Sequence, residues 1–579
     1  MSRISHFFAT VLCFLSGLSR SGAAEVYSIP LKNDGEAKLY WTVDYAEEVV
    51  QFEVHVPMSQ TSWFAIGFSD YGEPESADFC IFWTDWMRTQ HFQDTWTDES
   101  GRIRVDRRQD CLDFLYKWHD GTLKFTFSRK FQTCDSEDYA IDDGTTHVVW
   151  MEGKGPLFAV EGVNVSSSVS NGFERTQLLK AQNTQVKHPE DTWTLEVLAN
   201  KVRVPDVETT YWCHVHELPE SLKNKHHVIQ YEPVIQKGNE HIVHHMEVFH
   251  CETDVKEEIP NYVGPCFAED RPEKTKVCKR VIAAWAMGAG PFSYPKEAGL
   301  PIGGPEYNQF VMLEVHYNNP GLTSGVIDSS GVRLYLTPSL REYDGGVIEL
   351  GLEYTDKMAI PPGQSAFQLS GFCVSECTAV SLPESGIVVF GAQLHTHLLG
   401  VRAYTKHMRK GIELRELSRD NHYSTHFQEI RRLKRDVRIL PGDALIVTCT
   451  YRTSDKQNIT FGGFAIADEM CVSYIHYYPK SDLEVCKSSV SYEDLYSYFD
   501  YLRKYEYQDT DSKKAITENY KSIEWTPVRV QVLSDLYTEG TLSMQCNRSS
   551  GERFPGDWEG MHPSKILKPL QTRPECPTP

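Results

Sequence analysis

Beyond its first two dozen residues the 579-residue chain has no run of eighteen uninterrupted apolar residues, so no later segment reads as a membrane-spanning helix. An excess of basic residues is missing too. The 58 Lys and Arg stand against 80 Asp and Glu, and the net charge of -22 argues against a nucleic-acid-binding face. The locally basic run from Glu429 to Arg438 reads as a solvated strand or loop face. No fixed-period repeat occurs, which excludes a solenoid, and low-complexity sequence is confined to the polar stretch Ser166 to Asn171. The His-Glu-x-x-His pattern of a zinc hydrolase is also absent.

What is present begins with Met1 to Ala24, which carries Arg3, an apolar core from Phe7 to Leu18 and the small residues Gly22 and Ala24. This is the pattern of a secretory signal peptide, too short to span a bilayer. It predicts a secreted protein, or one luminal to the endoplasmic reticulum or a granule. Of fifteen cysteines, Cys13 leaves with the leader, and the remaining fourteen read as up to seven disulfides in an oxidising compartment. Glycosylation sequons at Asn164, Asn458 and Asn547 fit the same address. Length suggests roughly three or four domains.

Histidine spacing carries the chemistry. In Gly391-Ala-Gln-Leu-His395-Thr-His397-Leu-Leu-Gly400, imidazoles two residues apart on a strand share a face and can grip one metal. Ile387 to Phe390 supplies the apolar, β-branched run of a strand, which Gly400 is expected to close. Further upstream, His244 and His245 are adjacent. On a regular strand they diverge, so both reach one metal only if the strand twists or bulges there. In the stretch Phe310 to Pro320, read as an alternating strand, His316 ends the strand on the face of Phe310, Met312 and Glu314 and makes a third imidazole for that site. His227 to Gln236 and His241 to Cys251, around Lys237-Gly238-Asn239, read as a hairpin. On Ala467 to Pro479, Met470, Val472, Tyr474 and His476 are expected to share a face. A thioether beside two imidazoles suits Cu(I) and argues against zinc or calcium.

Residues 25–155 alternate as half-buried strands, with Phe52, Val54 and Val56 on one side and Gln51, Glu53 and His55 on the other. This part resembles a DOMON domain through Tyr40-Trp41-Thr42, Trp63-Phe-Ala-Ile-Gly-Phe-Ser69 and Ala77-Asp78. Its lone His119 and His147 read as structural or exposed rather than as ligands. A polar connector is expected over 156–200, from the Asn164 sequon and Ser166-Ser-Ser168.

The blocks His244-His245-Met246, Glu314-Val-His316-Tyr317, His395-Thr-His397 and Asp468-Glu-Met470-Cys471 stand in the order and spacing of the copper type II, ascorbate-dependent monooxygenases. With the DOMON domain in front, the chain most resembles the dopamine β-hydroxylase branch. The resemblance implies an all-β protein: a DOMON β-sandwich, two jelly-roll-like copper-binding domains at 201–345 and 346–510, and a short helical and irregular C-terminal segment at 511–579. It implies two copper ions per chain, one held by His244, His245 and His316 and one by His395, His397 and Met470. O2 and ascorbate are the implied co-substrates, because hydroxylating a C–H bond takes two electrons while each copper cycles through one. Tyr474, a strand repeat past Met470, is the candidate for shaping the substrate pocket.

Two departures narrow the expectation. The peptide-amidating branch carries an arginine two residues before its His-x-His, where Gln393 stands here, so a small aromatic amine is favoured over a peptide carboxylate. Lys487 to Gln545 lacks the subunit-joining cysteines, so a homodimer would be non-covalent. Its helix-like stretch Ser491 to Leu502, opened by a Ser-x-x-Asp cap, can pack at such an interface or cover the core. Matching positions imply Cys213 with Cys266, Cys251 with Cys278, Cys373 with Cys486, Cys449 with Cys471, Cys377 with Cys546 and Cys134 with Cys576. Cys80 and Cys111 then remain to pair with each other. The alternative to an oxygenase is a catalytically silent secreted binding protein that keeps the fold.

Overall fold

A computed structural model describes residues 25–32, 35–165, 169–181, 187–287, 289–319, 321–465, 467–571 and 576; the expected leader lies outside them. The chain divides into two compact units, one made of Met1–Asp142, Thr146–Gln182 and Pro574–Pro579, the other of Asp143–Thr145 and Asn183–Arg573. Both are β structures.

In the first unit a five-stranded antiparallel sheet, running from Tyr27–Pro30 through Val49–Pro57 to Leu112–His119, shares a core with a six-stranded sheet centred on Trp63–Ser69 and Asp78–Thr84. The alternation expected over Val49–Pro57 is present: Val50, Phe52, Val54 and Val56 are buried. They pack with Trp41, Phe64, Phe82, Phe125 and Trp150. Asp78, on one sheet, takes Arg129 from the other in a buried pair, Oδ1 to Nη1 3.0 Å, and also accepts the Tyr139 N–H at 2.7 Å. Residues 156–200, expected as a connector, are partly structured. Ser170–Thr176 adds an edge strand to the six-stranded sheet, Leu178 and Leu179 enter the core, and the Trp41 indole donates to the Leu178 carbonyl at 3.0 Å. The polar composition that suggested a linker is that of an edge strand with one solvated face. His119 is exposed; His147 is buried between Tyr71 and Phe173.

The second unit holds two sandwiches. In the first, the strand Thr209–Glu217 pairs with Phe310–Asn318, which pairs with Val243–Cys251, which pairs with Cys278–Ala286. Opposite lies a sheet of Trp193–Leu198, Gly331–Thr337, His226–Val234 and Ala298–Ile302. The expected hairpin does not form, because His226–Val234 and Val243–Cys251 lie in different sheets. The turn at Gln236 to Asn239 hands the chain across the sandwich, and its Asn239 amide donates to Asp328 at 2.7 Å and to the Ile327 carbonyl at 3.0 Å. A Gly-Asn turn signals reversal but does not say which sheet receives the returning strand.

The second sandwich sets Ile387–His395, Val472–Tyr478, Gly346–Leu352 and Leu483–Val490 against Phe367–Cys373, Asp443–Tyr451 and Gly400–Arg409. The helix Tyr492–Glu506 starts at the Ser491 cap, whose hydroxyl accepts the Asp494 N–H. Its Leu495, Tyr498, Phe499 and Leu502 cover this core. The C-terminal residues add the strand Leu542–Arg548 to the same sheet. Seven disulfides join Cys80–Cys111, Cys134–Cys576, Cys213–Cys266, Cys251–Cys278, Cys373–Cys486, Cys377–Cys546 and Cys449–Cys471. Of the sequon asparagines, Asn458 is exposed while Asn164 and Asn547 are half-buried. Among the described residues no helix is long and apolar enough to cross a membrane.

Asp443 is the ionic anchor of the second sandwich. Its buried carboxylate accepts from His407 Nε2 at 2.7 Å, from Arg409 Nε at 2.7 Å and Nη2 at 2.8 Å, and from the Leu440 N–H at 2.9 Å. Burial alone pushes its pKa up, but Arg409, His407 and the Leu440 N–H outweigh it and hold the carboxyl well below the usual carboxylate range. A depressed carboxyl contributes stability that is complete above its unfolded value near 3.9 and is lost as pH falls toward its folded value. Asp443→Asn is expected to cost about 3 kcal/mol. Thermal unfolding at pH 7 measures this, and the gap between wild type and variant should shrink below pH 4.

Candidate metal centres

Three histidines converge on adjacent strands of the first sandwich. His245 sits opposite His316 in the ladder, and the register breaks between Val243 and His245. That bulge turns His244 onto the side it would otherwise face away from. His245 Nδ1 then lies 3.3 Å from His244 Nδ1 and 3.2 Å from His316 Nδ1. Tyr211 stacks flat on His316, centroids 4.4 Å apart and planes 6° apart, and fixes its orientation. Burial pushes the His245 pKa well below its ordinary value, helped by His316 and His244. Burial, with His426, takes His316 down to about 4. His245 and His316 are therefore neutral at physiological pH, and the ring nitrogens of all three histidines lie within 4.8 Å of one another.

The second set lies in the other sandwich. His395 is the last residue of the strand Ile387–His395, while His397 stands just beyond it, and Gly400 opens the next strand rather than closing this one. A Cβ at Gly400 would come within 1.9 Å of Thr396 Oγ1, so glycine is required where the chain turns back. The two rings are perpendicular, at 88°, with centroids 5.4 Å apart. His395 Nδ1 is engaged by Gln428 Oε1 at 2.6 Å, and His397 Nδ1 by the Asp468 carbonyl at 2.9 Å. Both rings thus carry their proton on Nδ1 and leave Nε2 as a lone pair. Burial and His397 push the His395 pKa to about 4, and burial lowers His397.

Met470 precedes the strand Val472–Tyr478 and is almost fully buried. Its carbonyl accepts the Tyr451 hydroxyl at 2.6 Å, and the next residue, Cys471, is tied to Cys449. His476 follows Tyr474 in unbroken register on that strand and packs against Phe292 and Phe390. Tyr474 lies 6.2 Å from the His395 ring and is hydrogen-bonded to Tyr354. Tyr354 donates to Glu349, whose carboxylate also takes Lys487 at 2.6 Å.

Several residues that the sequence did not mark complete the arrangement. Glu469, wholly buried, accepts the N–H groups of His397 at 3.0 Å, Leu399 at 2.6 Å and Met470 at 3.2 Å. Burial pushes its carboxyl to about 7 against those three donors. Glu247 and Glu314 pair across the ladder two residues from the three-histidine cage. Burial, with Glu314 beside it, raises Glu247 to about 8, and its carboxylate is hydrogen-bonded to Gln393.

His244, His245 and His316 bring their ring nitrogens within 4.8 Å of one another, a cluster of nitrogen donors that fits copper and lacks the oxygen ligands of calcium or magnesium. Family comparison agrees with it. Residues 195–324 match the N-terminal domain of the copper type II ascorbate-dependent monooxygenases, 343–499 match the C-terminal domain, and 33–153 match the DOMON domain. The chain is 42% identical to human dopamine beta-hydroxylase over 99% of this chain and 93% of that one. It is 43% identical to the Equus caballus enzyme of the same name over 99% and 94%. Against tyramine beta-hydroxylase of Caenorhabditis briggsae it is 38% identical over 89% and 86%.

Proposed function

The chain belongs to the copper type II ascorbate-dependent monooxygenases, and from that premise we propose that it hydroxylates a C–H bond of a small aromatic amine with O2, ascorbate being the reductant. In this reading one copper is held by His244, His245 and His316 and a second by His395, His397 and Met470. The carrying observation is the convergence of His244, His245 and His316, beside a His395 and His397 pair already committed through Nδ1 to oxygen acceptors. Bound copper supplies one-electron redox chemistry and activation of O2. The protein's own residues do the rest. Gln428 and the Asp468 carbonyl orient the two imidazoles. Tyr474, held by Tyr354, forms a wall beside His395 and shapes the pocket.

The amine preference rests on charge. The peptide-amidating branch has an arginine where Gln393 stands, and here that glutamine meets the Glu247 carboxylate. With no guanidinium at this position, the site offers no cationic partner to a peptide carboxylate. The relatives named above act on dopamine and tyramine, both phenylethylamines. The decisive experiment loads the protein with copper anaerobically, adds ascorbate and O2, and screens phenylethylamines beside glycine-extended peptides. Two coppers per chain and a hydroxylated amine are expected. Two coppers with neither product nor coupled O2 uptake would favour the silent binding protein.

Seven disulfides, sequon asparagines and the leader-like first 24 residues support residence in the secretory pathway. A homodimer would be non-covalent, since every described cysteine is paired within the chain.

A further inference from the structure

One short loop of the second sandwich touches both cages. Thr425 donates its hydroxyl to the His397 carbonyl. Gln428 accepts His395 Nδ1 at 2.6 Å, its amide donates to the Thr425 carbonyl at 2.7 Å, and its own carbonyl accepts the Gln393 amide at 3.0 Å. Between them the exposed ring of His426 stands edge-on to His244 of the three-histidine cage, centroids 5.5 Å apart and planes at 86°. The loop is braced at both ends. Tyr423 accepts the Thr396 N–H at 3.0 Å, and Ile430 is buried in the core of the first sandwich.

We propose that Thr425 to Gln428 couples the two copper-binding cages, with His426 and Gln428 as positioning residues. A change in His395 or His397 moves the amide of Gln428 or the hydroxyl of Thr425. Because residues 425 and 428 are tied to each other, the ring of His426 between them cannot stay fixed while its anchors shift. That ring bears on His244, so filling one cage alters the ease of ordering the other. Such coupling is reciprocal by thermodynamic necessity. The inference rests on the ligand sets proposed above and adds that they do not bind independently.

Equilibrium titration of the full chain with Cu(I) under anaerobic conditions tests it, without reference to turnover. Affinity at the three-histidine cage is measured in protein with the second cage intact and in protein carrying His395→Ala and His397→Ala. In otherwise wild-type protein the two affinities should differ at least about fivefold. In His426→Ala the difference should vanish while both cages still fill, and in His426→Phe, which keeps a ring against His244, it should return in part. Retention of the full difference in His426→Ala, or its absence from wild-type protein, overturns the coupling. Failure of wild-type protein to take up two Cu(I) defeats the ligand assignment itself, and is visible as stoichiometry before any variant is compared. Unchanged far-ultraviolet circular dichroism of the variants excludes misfolding as the cause of a lost difference.

Discussion

Met470→Leu is expected to abolish nearly all turnover while leaving the fold and the three-histidine cage in place. Leucine matches methionine in volume and apolarity, and such exchanges in a packed site cost under about 1.5 kcal/mol. The backbone at 470 is held independently of the side chain, by the Tyr451 hydroxyl on its carbonyl, by Glu469 on its N–H and by the neighbouring Cys449–Cys471 bridge. What leucine removes is the soft thioether, in the proposed assignment the ligand that favours Cu(I) beside two imidazoles. With both imidazoles retained, copper should still bind there, more weakly and with its preference for the reduced state diminished. A fall of about a thousandfold in kcat, roughly 4 kcal/mol of transition-state stabilisation, is the expected result. Steady-state kinetics with a hydroxylatable phenylethylamine measures it, beside copper stoichiometry and a thermal melt. Activity within tenfold of wild type would show that Met470 is a core residue and not a ligand.

How much of this was readable beforehand depends on the range over which each signal acts. Alternation along Val49–Pro57 is local, set by the period of a strand, and the buried set matches it residue for residue. The adjacent His244 and His245 required an irregular strand if both were to face one metal, and the register break falls beside them. Signals that depend on which strands meet were weaker. The turn at Gln236 to Asn239 reverses the chain, yet the next strand joins the opposite sheet, which composition alone does not reveal. His397 lies past the strand end, so its approach to His395 owes more to the turn at Gly400 and to Glu469 than to a period of two. Gln428 and His426 were invisible for a plainer reason. They follow His395 by some thirty residues, in a loop without periodicity, and a polar loop residue ordinarily reads as solvated.

Glu469 is the strongest case of such an unmarked residue, and its replacement is expected to damage the second cage without touching a ligand. A glutamate is almost never fully buried unless its oxygens are satisfied, and here Oε2 accepts from His397 and Met470 while Oε1 accepts from Leu399. One carboxylate therefore draws together the backbone of His397 on the 395–397 turn and that of Met470 before the strand Val472–Tyr478. Glu469→Gln cannot reproduce this. Its amide nitrogen is a donor, and whichever way the group is turned it confronts at least one of the three N–H groups, leaving a buried donor unsatisfied. Glu469→Ala empties the space and orphans all three. The alanine variant should lose about 3 to 5 kcal/mol of stability, and the glutamine variant less. Both should bind copper at the His395, His397 and Met470 cage about 10- to 100-fold more weakly. Cu(I) competition titrations and thermal melts separate the two effects, because the three-histidine cage reports any general loss of fold. A glutamine variant that binds both coppers as tightly as wild type would show that the carboxylate serves only to satisfy the turn.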